Sequence, residues 1–182
     1  MSFLDVSIDG AKLIEPRVFG DDRGFFMETW NAATFAAAGL DLSFVQDNHS
    51  MSAAGVLRGM HFQVGRPQGK LVRVVAGAAY DVIVDLRRSS PTFKQWYGVE
   101  LSAENRRILW APPGVAHGFV SLQEGTQFVY KCTEFYAPEL ERSLLWNDPE
   151  VGIEWPSFPG TGKPTLSQKD MDGLPLAQCE TY

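Results

Sequence analysis

The chain has 182 residues, 45% of them hydrophobic and 12% aromatic, which suits one domain with a substantial core. Its net charge of −6, with 16 scattered Lys and Arg, excludes a broad nucleic-acid or membrane surface and leaves only a small, locally held anionic ligand. The two cysteines, Cys132 and Cys179, read as free thiols in a reducing cytoplasm.

Met1 to Glu15 alternates Phe3, Leu4 and Val6 with Asp5 and Asp9, so it lacks the charged start and apolar run of a signal peptide. No later stretch approaches a membrane span. Asn31 to Gly39 is the one segment that reads well as a helix. Asn31 offers an N-cap, Ala32, Ala33 and Ala36 to Ala38 are good formers, and Gly39 suits the left-handed position after the last turn. Leu71 to Val75, then Ala76-Gly77, then Ala78 to Leu86 predicts a hairpin. Tyr80, Val82, Val84 and Leu86 would share one face, with Asp81, Ile83 and Asp85 on the other. Further strands are expected at Gly55 to Gln63, Tyr97 to Leu101, Arg107 to Ala111, Gly118 to Leu122 and Thr126 to Tyr136. Short strands at this spacing imply a mainly β sandwich or jelly roll. From Ala137 onward Pro recurs at 138, 149, 156, 159, 164 and 175, which suggests loops and short helices wrapped over a barrel. The expected organisation is one domain over 1–182. N-terminal strands and a short helix occupy 1–43, the barrel core about 44–136, and the wrapping segment 137–182.

Two of the three histidines stand where a predicted strand meets a turn. His61 lies in Arg58-Gly59-Met60-His61-Phe62-Gln63, and His117 closes Pro112-Pro113-Gly114-Val115-Ala116-His117. The second fragment fits the P-x-G-x-x-H half of the cupin pattern, but the partner half is missing, because Phe62 and Gln63 follow His61 where a second His is wanted. Convergence of His49, His61 and His117 on a metal would still make a three-nitrogen site with an open position. The other use of His61 is as a general base near neutral pH, made more basic by a carboxylate partner. Asp170 is such a partner, although Ser167 followed three residues later by Asp170 is also a helix N-cap signature. Tyr130 and Lys70 place a phenol and an amine in strand segments, and Arg23 and Arg58 are forks able to hold phosphates in a chain without a Gly-rich phosphate loop. Strand alternation puts Arg58 and His61 on opposite faces, so one pocket can hold both only if Gly59 permits a bulge.

These fragments occur together and in order with several others. Among them are Phe19-Gly20-Asp21-Asp22-Arg23-Gly24-Phe25-Phe26, Phe44-Val45-Gln46-Asp47-Asn48-His49-Ser50 and Gln68-Gly69-Lys70-Leu71-Val72-Arg73. Gly55-Val56-Leu57-Arg58-Gly59, Ser89-Ser90-Pro91-Thr92-Phe93, Leu101-Ser102-Ala103-Glu104-Asn105, Ala116-His117-Gly118-Phe119 and Trp146-Asn147-Asp148-Pro149 complete the set. From about Leu13 to Asp170 the sequence resembles the dTDP-4-dehydrorhamnose 3,5-epimerases. The resemblance implies an antiparallel jelly-roll or cupin-like barrel with a few short helices. It also implies a homodimer and an isomerase without metal or organic cofactor, which inverts C3 and C5 of dTDP-4-dehydro-6-deoxy-D-glucose by enolisation. By the same resemblance His61 is the base, Asp170 its orienting partner, Tyr130 the acid on the opposite face, and Lys70 the charge that stabilises the enolate oxygen. His117 would support the sugar. Arg23, Glu28, Gln46, Asn48, Arg58, Glu141 and Lys169 would hold nucleotide and sugar, with Phe26 as a wall and Tyr136 stacking on thymine. Met60, Trp30 and the turn Ala78-Ala79 depart from the family's usual residues, and Gly65-Arg66-Pro67 lies in a loop whose length varies there. None of these departures removes a proposed catalytic group. An enzyme inverting a single centre of another deoxysugar, and a metal-dependent cupin oxygenase or isomerase, are the competing readings.

Overall fold

The computed structural model describes all 182 residues. In chain order the elements are β1 (Ser2–Asp5), β2 (Lys12–Glu15), β3 (Val18–Asp21), β4 (Gly24–Met27), α1 (Ala32–Ala37), β5 (Gln46–Ser52), β6 (Leu57–Gln63) and β7 (Lys70–Ala76). There follow β8 (Ala78–Asp85), β9 (Trp96–Ser102), β10 (Ile108–Ala111), β11 (Val115–Ser121), β12 (Thr126–Cys132), β13 (Glu141–Ser143) and α2 (Gln168–Met171). One sheet has six strands in the order β1-β2-β10-β7-β12-β5, and the other has five in the order β13-β6-β11-β8-β9. Every pairing within them is antiparallel.

The sheets share a core because their alternating apolar residues meet in the middle. Val72, Val74, Leu109 and Phe128 from one pack with Ile83, Leu101 and Phe119 from the other. Phe119 and Phe128 stack with ring centroids 4.2 Å apart and planes 4° from parallel. Burying such side chains contributes about 1.5–3 kcal/mol each. The outer face of the five-stranded sheet is covered by the chain after Ser143, through Leu144, Val151, Leu176 and Cys179. Part of the outer face of the six-stranded sheet is covered by Phe35 of α1 with Leu40, Trp30 and Phe44. Helix α1 ends as its sequence predicts, with the Asn31 side chain accepting from Thr34 N at 3.1 Å and Gly39 at φ +82°.

The hairpin expected at Ala76-Gly77 does not form. β7 pairs with β10 and β12, whereas β8 pairs with β11 and β9, so the chain changes sheets at this corner. A single residue separates the strands, too few for a two-residue hairpin loop. Gly77 makes the corner at φ +72°, and a Cβ there would lie 2.6 Å from Thr126 Oγ1. The alternation read along β8 does hold: Val82 and Val84 face the outer cluster and Ile83 the inner one.

Candidate active site

A cavity of about 450 Å³ opens between the sheets. Strand β6 delivers His61 to it from the five-stranded wall, and β12 delivers Tyr130 from the six-stranded wall. A bulge resolves the parity conflict on β6. His117 pairs with His61 and Phe119 with Arg58, so three steps on β6 oppose two on β11. Gly59 occupies the bulge at φ +133°, and a Cβ there would come within 2.5 Å of Gly118 Cα. With one extra residue absorbed, Arg58 and His61 both line the cavity.

His61 Nε2 is 2.7 Å from Asp170 Oδ1. The same oxygen accepts from Gly59 N at 3.1 Å, and Asp170 Oδ2 accepts from Ser167 Oγ at 2.6 Å. Ser167 and Asp170 also form a reciprocal capping box on α2. The two readings of Asp170 as helix cap and as partner of His61 are therefore one arrangement: one oxygen of the carboxylate takes part in the cap while the other, held also by Gly59 N, meets the imidazole. Burial pushes Asp170 upward, but the hydrogen bonds from His61, Ser167 and Gly59 outweigh it and hold the carboxyl down to about 2. Burial lowers the His61 pKa, with Lys169 and Lys70 adding to that effect and Asp170 opposing it. The ring is thus neutral at neutral pH. Donating from Nε2 to Asp170, it keeps Nδ1 free as the basic nitrogen.

The Lys70 ammonium is buried at the end of β7 and lies 3.4 Å from the His61 carbonyl oxygen. Its desolvation lowers its pKa, against the attraction of Cys132, Glu141 and Asp81. Burial raises the Tyr130 pKa, which keeps the phenol protonated. His117, inside β11 rather than at a turn, is 2.8 Å from Asp81 Oδ2. Asp81 is fully buried and its other oxygen has no partner. No sequence signal marked Asp81, because it sits in an alternating strand where an acid reads as solvent-facing.

Gln46, Asn48, Arg58, His117, Tyr136, Glu141 and Lys169 all line the same cavity as His61, Tyr130, Lys70 and Asp170. Arg58 is anchored by Ser52 Oγ at 3.0 Å and Met51 O at 3.3 Å. Tyr136 donates its hydroxyl to Glu141 Oε2 at 2.8 Å, and Lys169 Nζ is 2.6 Å from Glu141 Oε1. Three expected residues do not reach the cavity of their own chain. Arg23 pairs with Asp21, Phe26 is 70% exposed, and Glu28 accepts from Asn31. The reason is local, since β3 and β4 pair only with each other and stand apart from both main sheets. His49 also lies elsewhere, bonded to Gln127 on the exposed side of β5, so the three histidines do not converge. No group of three or more His, Cys, Asp and Glu side chains comes together in a way that would hold a metal ion.

The family model for dTDP-4-dehydrorhamnose 3,5-epimerase matches residues 5–178. The chain belongs to that family. The Pseudomonas aeruginosa dTDP-4-dehydrorhamnose 3,5-epimerase is 55% identical over 178 residues, covering 97% of each chain. The Legionella pneumophila enzyme, solved with dTDP-4-keto-L-rhamnose, superposes with a TM-score of 0.92 at 46% identity, over 98% of this chain and 94% of that one. A 3'-monoepimerase, ChmJ from Streptomyces bikiniensis, solved with dTDP-quinovose, is 37% identical with a TM-score of 0.87, over 94% of this chain and 86% of that one. Enzymes named for two inverted centres and for one thus both superpose on this chain.

Proposed function

We propose that this protein epimerises C3 and C5 of dTDP-4-dehydro-6-deoxy-D-glucose, giving dTDP-4-dehydro-L-rhamnose for deoxysugar biosynthesis. The observation that carries the reading is the placement of His61, held by Asp170, and Tyr130 on opposite walls of one cavity. The C4 ketone acidifies the hydrogens on both neighbouring carbons. In the gluco configuration those hydrogens are axial on the same ring face. One base on that face and one acid on the other can therefore serve both centres.

In each inversion neutral His61 takes the proton, and the electron pair moves to the C4 oxygen. The Lys70 ammonium stabilises that oxyanion from a desolvated position, where a charge acts more strongly than in water. Asp170 stabilises the imidazolium as it forms. Tyr130 then gives its proton to the same carbon from the opposite face, and exchange with water restores both groups. A base that returned its own proton would regenerate the starting configuration. The sequence of steps is redox-neutral, and every group it calls on is a side chain of the cavity.

At the mouth, Tyr136 is half exposed and offers a flat platform for thymine, while Arg58 and Lys169 present charge to the diphosphate. Arg23, Phe26 and Glu28 enter the scheme through a homodimer. The β3–β4 hairpin leaves Phe19, Phe25 and Phe26 at 50%, 57% and 70% exposure, an apolar surface on its strands suited to burial against a second copy. Seated there, it would bring those three residues to the partner's cavity. The free buried thiols of Cys132 and Cys179 favour the cytoplasm as its compartment, and no helix is long and apolar enough to cross a membrane.

The test is His61→Asn in deuterated water. Deuterium wash-in at C3 and C5 should vanish while dTDP binding persists, and retained exchange would remove His61 as the base.

A further inference from the structure

Tyr136 stands in residues 133–137, a strap without regular secondary structure between β12 and the 3-10 turn Pro138–Leu140. A stacking platform on a free loop would lose affinity to the entropy of ordering it. Here the strap is fixed by side-chain amides reaching from β5, β6 and the loop before β7. Gln63 is only 2% exposed. Its Nε2 donates to Phe135 O at 3.2 Å and to Arg66 O at 3.1 Å, and its Oε1 accepts from Ala137 N at 2.8 Å. Both main-chain neighbours of Tyr136 are thus held by one planar group. Gln46 Oε1 accepts from Tyr136 N at 2.8 Å, and Gln68 Nε2 donates to Glu134 O at 2.8 Å.

We infer that Gln63 is a positioning residue for nucleotide recognition, clamping the main chain on either side of Tyr136 so that the ring is set in advance for the flat face of the base. A side-chain amide fits the position because the clamp uses two N–H donors and one acceptor on a single planar head; a carboxylate lacks the donors and an apolar chain lacks all three. The same strand carries the base. Gln63 pairs with Glu141 and His61 with Ser143 along β13, so the two side chains leave β6 two residues apart on one side. A short stretch of strand thereby sets the separation between the reacting carbons and the nucleotide platform. This inference rests on the reading of Tyr136 as the base-stacking residue.

A double-mutant cycle on dTDP affinity, measured by calorimetry, tests it. Gln63→Met and Tyr136→Ala should each weaken dTDP binding about tenfold, and the double variant should be no weaker than Tyr136→Ala by more than about twofold. Gln63→Met should also raise KM while leaving kcat within about threefold. Additive losses, or a fall in kcat with dTDP affinity unchanged, would assign Gln63 a general structural role and overturn the clamp. If Tyr136→Ala alone leaves dTDP affinity intact, the stacking reading fails and takes the clamp with it. If Tyr136→Ala weakens binding and Gln63→Met does not, the clamp alone fails. Should Gln63→Met not fold, Gln68→Met, at a half-buried position with one bond to the strap, enters the same cycle. Its expected loss is about two- to fivefold and should disappear in the Tyr136→Ala background. No loss, or a loss that persists there, overturns the inference.

Discussion

Replacing Asp170 by Asn separates the two functions that meet in this carboxylate. Asn keeps the shape, and its oxygen can still accept from His61 Nε2 and Gly59 N, now at 2.7 and 3.1 Å, while its nitrogen faces Ser167 Oγ. The negative charge disappears, and with it the long 3.4 Å bond that Oδ2 accepts from Ser167 N. The imidazolium forming in the transition state then loses a charge-assisted partner, worth about 1.5–3 kcal/mol, which lowers kcat roughly 10- to 150-fold. The pH profile carries a sign as well. Asp170 raises the His61 pKa against burial, which lowers it from 6.5. Removing the charge should move the acid limb of kcat/KM to lower pH even as the plateau falls. Ser167→Ala is the control, since it removes the cap and the 2.6 Å bond to Asp170 but leaves the His61 contact. It should cost about 1 kcal/mol of stability in denaturant melts and leave kcat within about threefold. NMR-followed turnover across pH, paired with melts of both variants, gives all four quantities. An Asp170→Asn enzyme with near-normal kcat, or an acid limb that moves upward, would refute the dyad.

Three further outcomes follow from the same geometry. Tyr130→Phe removes the donor on the six-stranded wall, so completed inversion should fall by at least about 100-fold while initial deuterium exchange falls much less; equal losses would count against the acid role. Mixing and reassociating Arg23→Ala and His61→Asn chains, each inactive alone, should recover about one quarter of wild-type activity if the hairpin acts on the partner's cavity. No recovery would place Arg23 in its own chain's site or outside any site. Gly59→Ala forces a Cβ to 2.5 Å from Gly118 Cα at φ +133°, so stability should drop by at least about 2 kcal/mol and activity with it. Unchanged melting and turnover would mean that the bulge does not set the position of His61.

The sequence was most legible where local chemistry decides structure. Asn31 and Gly39 bracket α1 because a cap and a left-handed glycine act within one turn. Alternation also found β8 and its two faces. It did not find the partner strands, since a period of two says which side a residue faces and nothing about which strand lies beside it. Strand β5 escaped because polar residues occupy both faces: Gln46, Asn48 and Ser50 turn to the cavity and Asp47 and His49 to the outside. A strand lining a polar site loses the apolar signature that marks other strands. Arg23, Phe26 and Glu28 show a different limit. Resemblance groups them with the cavity residues, but no local signal shows that β3 and β4 pair only with each other, apart from both main sheets. Gln63 was invisible because its partners are backbone atoms far along the chain, and nothing in its neighbours advertises a clamp.

The central claim is that one base and one opposed acid invert both carbons flanking the ketone. Incubating the wild-type protein with dTDP-4-dehydro-6-deoxy-D-glucose in deuterated water, and following each carbon by NMR, tests it most directly. Deuterium should enter at both C3 and C5, and the product should carry both centres inverted. Exchange and inversion confined to C3 would make this a single-centre enzyme like ChmJ, and exchange at neither carbon would contradict enolisation altogether.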